Sequence, residues 1–184
     1  MKNRLFPFLR NFGVVFAIAF CIAQTMPAKA DLITLSLPGI TGDVTVAGYQ
    51  GTIEVMSLTG EVENPVTTGS ASGGPGSGKA TFGDLMIHKR FDASSPALFL
   101  AVVMGHRFPG AILTFLQGSN NNKLQKVFTM TLSDVLVTKS GTDATEPNVL
   151  AGPEQVNLSY GKIILKDEVT GASAGYDRET NTTF

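Results

Sequence analysis

Between Lys126 and Val137 the apolar residues keep a period of two, then change sides once. Phe128, Met130 and Leu132 share one face, and Thr129, Thr131 and Ser133 share the other. This is the pattern of a strand with one wet side. After Asp134 the apolar positions are Val135 and Val137, so the phase slips by one. The slip recurs downstream. Val156, Leu158 and Tyr160 share a phase, Ile163 and Leu165 take the opposite one, and Gly161 sits at the change. A slip of one residue would turn a flat strand's apolar side out to water. β-Bulges near Ser133–Asp134 and near Gly161 would bend each strand and keep its apolar side inward. Long bent strands of this kind predict a mainly β fold, a small barrel made of two packed antiparallel sheets.

The rest of the chain fits that expectation. Turn residues recur at short intervals, at Pro38–Gly39, Thr41–Gly42–Asp43, Gly48, Gly51, Gly60 and Asn64–Pro65. Leu32–Leu37 and Thr52–Leu58 read as strands, the second with Ile53 and Val55 on one face. Ala80 to Phe91 is also strand-like.

One helix is predicted, over about 96–104. Ser95 suits the N-cap, Pro96 the first helical position and Gly105 the residue past the end. Between them, Ala97 to Met104 carries no polar side chain. A surface helix normally shows a polar face. This one therefore needs cover on more than one side, from its own sheets alone or from its sheets and a neighbouring copy.

The first thirty residues read as an export signal. Lys2, Arg4 and Arg10 precede an apolar run from Phe12 to Ala23, and Ala28–Lys29–Ala30 fits a small-x-small cleavage site. The run is short for a bilayer span. Cleavage after Ala30 leaves one domain, 31–184, in an exported chain that is periplasmic or secreted. It removes four of the fourteen basic residues and none of the fifteen acidic ones, for a net charge near −5. That balance argues against nucleic acid or an anionic membrane as partner. The single cysteine, Cys21, leaves too, so the mature chain has no disulfide and no thiolate chemistry.

Sites of chemistry are scarce. Gly73 to Lys79 fits the opening of a phosphate-binding loop, but Ala80 stands where Ser or Thr would hold magnesium, and no strand–loop–helix context surrounds it. The stretch from Gly69 to Lys79 reads instead as a flexible Gly/Ser loop. His88 and His106 stand alone, without zinc-ligand spacing, His88 on a strand's polar side and His106 just after the helix. Asp84 and Asp92 fit salt bridges to Lys79, Lys89 or Arg90 better than a catalytic pair. The expectation is a non-enzyme without cofactor or metal.

Several short stretches, in order, resemble the Hcp family (haemolysin-coregulated protein), which forms the tube of type VI secretion systems. They are Gly78–Lys79, Asp84–Leu85, Lys89, Asp92, Ser95–Pro96–Ala97–Leu98 with Gly105, Met130–Thr138, Glu154–Ile163, and Gly175–Tyr176–Asp177 with Asn181. The resemblance implies a β-barrel with one flanking helix, and subunits that associate with themselves as hexameric rings stacked into a tube. Effector proteins travel in the lumen of such tubes. It marks Gly78, Lys79, Asp84, Lys89, Asp92, Ser95, Pro96 and Leu98 as signature and assembly positions. Tube subunits of the family are loaded from the cytoplasm without an export signal, so the segment 1–30 sets this chain apart. The competing expectation is a monomeric exported module that holds a peptide or small ligand at the loop 69–79.

Overall fold

A computed structural model describes residues 31–64, 66–67, 76–77, 79–119, 123–142 and 153–184. The segment 1–30, Gly78 and most of the loop 69–79 lie outside the described residues. In chain order the elements are β1 (Leu32–Ser36), β2 (Ile53–Val55), β3 (Ser57–Thr59), β4 (Val62–Glu63), β5 (Val66–Thr67), β6 (Gly76–Ser77), β7 (Thr81–Phe82) and β8 (Leu85–Lys89). Then follow α1 (Ser95–Met104), β9 (Arg107–Gly118), β10 (Leu124–Thr142), β11 (Glu154–Asp167), β12 (Ser173–Asp177) and β13 (Thr182–Thr183).

One antiparallel ladder runs β2-β1-β9-β10-β11-β12-β13. The edge of β11 opposite β10 is shared. Glu154–Leu158 pairs with β8, which in turn pairs with β3, while Lys162–Lys166 pairs with β12. Strands β2 and β3 belong to one stretch, interrupted at Met56, whose N–H donates to the His88 carbonyl at 2.8 Å. So Ile53–Val55 serves β1 at one end of the ladder and Ser57–Thr59 serves β8 at the other. The mainly β fold with two packed faces and one helix is as expected. The expected barrel, however, is not closed. Segments of three residues, broken at Met56, are too short to carry a continuous ladder across the seam.

The bends are where the apolar pattern slips, but they are not bulges. Registers Gly110↔Ser133↔Lys162 and Phe108↔Val135↔Tyr160 flank Pro109, Asp134 and Gly161, and the register is the same on either side. No extra residue enters. Asp134 takes a left-handed conformation, φ 56°, opposite Gly161, where a Cβ would lie 3.2 Å from the Asp134 Cβ. Pro109, on the other neighbour, has no N–H to give to a ladder. The buried set changes side at this level in all three strands, from Phe108 to Ala111, Leu132 to Val135 and Tyr160 to Ile163. Arg107 Nη1 holds both Asp134 carboxylate oxygens at 2.6 Å. Register shifts do occur, but elsewhere, at Lys126/Phe128 and Val137/Lys139.

Strand β9 carries little strand signal in its residues, because Pro109–Gly110 breaks its alternation near the start. The core it completes includes Leu35, Ile53, Ile87, Leu113, Leu132 and Leu158, all fully buried. The C-terminal stretch is a hairpin, clamped by Arg178. Its guanidinium donates to the carbonyls of Tyr160 (2.6 Å) and Phe82 (3.2 Å) and lies over both rings.

A contrast of glycines tests the close packing at the bend. A Cβ at Gly110 would meet the Leu132 carbonyl oxygen at 2.9 Å, whereas at Gly141 it meets nothing within 4 Å. In denaturant unfolding, Gly110→Ala is expected to cost about 1–3 kcal/mol and Gly141→Ala to stay within about 0.5 kcal/mol of the parent.

Candidate functional site

Helix α1 lies on the sheets through Leu98 and Ala101, both buried. Its opposite side is apolar and bare: Phe99 is 58% exposed, Leu100 50%, Val103 66% and Met104 68%. Phe91, just before the helix, is 47% exposed. Of the two kinds of cover open from the sequence, the chain's own sheets supply only one side. A contiguous apolar patch on an exposed element marks a contact site. Apolar grooves run along both flanks. One lies between Phe91, Pro96, Phe99 and the β10 end at Ser140–Gly141. The other lies between Ala97, Met104 and the turn Pro38–Gly39–Ile40.

The helix ends are well defined. Gly105 is left-handed, φ 60°; its N–H donates to Val102 and the His106 N–H to Ala101, a Schellman closure. Pro96 lies in the first turn, but at the second helical position rather than the expected first, because the helix starts at Ser95. The expected N-cap is corrected. Ser94 holds that position and makes no side-chain cap bond, while its N–H and hydroxyl both donate to Asp92 Oδ1. Ser95 is already helical, and its hydroxyl is engaged elsewhere.

That engagement is the main polar feature of the site. Lys89 follows Leu85 and Ile87 in strand phase, so its side chain enters the core and is 0% exposed. Its ammonium sits 2.8 Å from Glu154 Oε2, 2.8 Å from Asp92 Oδ1, 3.0 Å from Ser95 Oγ and 2.7 Å from the Arg90 carbonyl. Ser95 Oγ donates to Glu154 Oε2 at 2.6 Å, and Ser140 Oγ donates to Glu154 Oε1 at 2.8 Å. Glu154 is 2% exposed. No buried side-chain polar atom among the described residues lacks a partner. Burial pushes the Asp92 carboxyl up, but hydrogen bonds from Lys89 and Ser94 outweigh it and hold the carboxyl below its ordinary value.

The sequence-predicted positions thus divide. Lys89, Asp92 and Ser95 meet in one cluster, with Leu98 in the core beside it. Asp84 is apart, accepting from Thr138 Oγ1 at 2.7 Å, and Lys79 is exposed. Glu154 and Ser140 were not foreseen as partners. The signal was available: a lysine in phase with Leu85 and Ile87 requires a buried acid. Among the described residues no group of three or more His, Cys, Asp or Glu side chains could hold a metal. None of their helices is long and apolar enough to cross a membrane.

A profile of the family described as "Type VI secretion system effector, Hcp" matches residues 34–166. The chain belongs to the Hcp family. Hcp1 from Salmonella typhimurium is similar in structure, with a TM-score of 0.68 and 26% identity over 84% of this chain and 99% of that one. A structure described as a type six secretion system protein gives 0.74 at 20% identity, over 84% of this chain and 100% of that one. Hcp1 from the E. coli EAEC 042 pathovar, in a mutant form carrying two introduced tryptophans, gives 0.68 at 24%, over 82% and 99%. No curated protein sequence matches. The Hcp family is one of structural tube proteins rather than enzymes.

The carboxylates make stability acid-sensitive. Asp92 is held low; the Lys166 ammonium, with Thr129 and Lys126, brings Glu168 to about 2, and Lys162 with the Thr180 and Glu179 amides brings Asp177 to about 2. A carboxyl lowered on folding stabilises the fold above its unfolded value and stops doing so as pH falls through its folded value. Melting temperature should therefore be flat from pH 7 to about 5 and fall steadily between about 4 and 2. A rise on acidification would contradict these pairings.

Proposed function

We propose that this Hcp-family chain is a non-enzymatic ring subunit that assembles with copies of itself, six to a ring, and that rings stack into a tube able to carry effector proteins. One observation supports it most: the bare apolar side of α1, formed by Phe99, Leu100, Val103 and Met104. Covering one such side chain fully is worth roughly 1.5–3 kcal/mol. A neighbouring copy would recover part of that for each.

Sedimentation and electron microscopy of the chain starting at Asp31 test the reading. Rings with a central hole are expected, and Val103→Glu should shift them toward monomer with the melting profile of the monomer unchanged. A parent chain that stays monomeric at high concentration overturns the proposal.

The same reading places assembly outside the cytoplasm, on the strength of the segment 1–30. Fractionation and intact-mass measurement should find the chain exported with Asp31 as its first residue. A cytoplasmic chain retaining Met1 would return it to the usual loading route of the family.

A further inference from the structure

We infer that Lys89 and Glu154, through Ser95, are positioning residues that fix the pose of α1 and so the direction in which its apolar side faces a partner. The inference rests on the assembly reading for its purpose, but not for its geometry. The cluster ties β8 and α1, which are adjacent in the chain, to β10 and β11, which lie some way downstream. Lys89 ends β8, Glu154 opens β11 and Ser95 opens α1, with Ser140 of β10 closing the second carboxylate oxygen. Elsewhere α1 is held by the apolar contacts of Leu98, Ala101 and the half-buried Val102, which do little to fix its direction.

A buried ion pair is a poor way to gain stability. Taking both charges out of water costs several kcal/mol per ion, and apolar replacements of similar volume often do as well or better. What such a pair supplies is a single arrangement. The ammonium and carboxylate accept only geometries in which all their bonds are made. Here those bonds include the helix's first residue. A ring repeats one contact between every pair of neighbours, and tolerates little variation in the element that makes it.

Three variants test this: Lys89→Met combined with Glu154→Gln and Asp92→Asn, which removes the ammonium together with both carboxylates it faces; Ser95→Ala; and Ser95→Thr, which keeps the hydroxyl. Two readouts are taken, amide hydrogen exchange of Leu98–His106 against that of β10, and the association constant by sedimentation. The combined variant and Ser95→Ala should speed exchange in α1 by about ten-fold with β10 unchanged, and weaken association by about ten-fold. Ser95→Thr should restore both. Unchanged exchange in α1 for both variants overturns the anchor. Faster exchange with undiminished association overturns its link to docking. A parent chain that is monomeric but loosens in α1 on Ser95→Ala sinks the ring reading and leaves the anchor standing.

Discussion

The architecture depends on three neighbouring strands turning at the same level. If only one strand changed the side of its apolar residues, its neighbours would have to shift register to follow. At Pro109, Asp134 and Gly161 all three change together and the ladder resumes in the same register. Each position contributes a different property. Pro109 lacks a donor, Asp134 accepts a left-handed backbone, and Gly161 leaves room for it. Asp is among the few non-glycine residues that tolerate this conformation, and the Arg107 pair keeps its carboxylate occupied. The two sheet faces therefore share their long strands, and the core between them is continuous.

From this bend follows the place of the helix. Strand β8 joins β11 only along Glu154–Leu158, on the far side of Gly161 from β12. Its last residue, Lys89, thus arrives beside Glu154 with its side chain inward. The connection to α1 is five residues, and Asp92 within it folds back to the same ammonium. One lysine faces two carboxylates, and the less buried of them, Asp92, at 10% exposed, retains some contact with solvent. That division lets the cluster carry an excess negative charge without an unpaired group deep inside.

How much of this was legible in the residues depends on whether the signal was local. The alternation of Phe128, Met130 and Leu132, its slip at Asp134 and the second slip at Gly161 were readable and correctly implied bent strands. That the slips align across strands was not, because alignment is a matter of register between distant segments. The helix was readable from Pro96 and Gly105. Its capping residue was not, since Ser95 is drawn away by Glu154, fifty-nine residues downstream. Strand β9 stayed hidden because Pro109–Gly110 resembles a turn, although in the fold the pair lies within the ladder. Of the family positions, Lys89, Asp92 and Ser95 proved to be one cluster, a relation that spacing alone could not show.

The way this chain meets a partner is narrowed by its edges. A β-rich protein with open strands can associate by adding strand to strand, and long flat edges make this hard to control. Here the terminal strand β13 has two residues, and β2 and β3 have three each. These edges offer few unpaired backbone groups, whereas Arg107–Ala111 of β9 has no strand partner on the side away from β10 among the described residues. Helix α1 makes no such offer, because its backbone bonds are internal, and its two ends are closed by Pro96 and the Gly105 turn. Its contribution is side-chain surface alone. A ten-residue helix is marginal by itself, and Phe99, Val103 and Met104 are more than half exposed. Those positions are costly in water and idle in the isolated fold. Under the proposed assembly, cover by a neighbouring copy would give them a purpose.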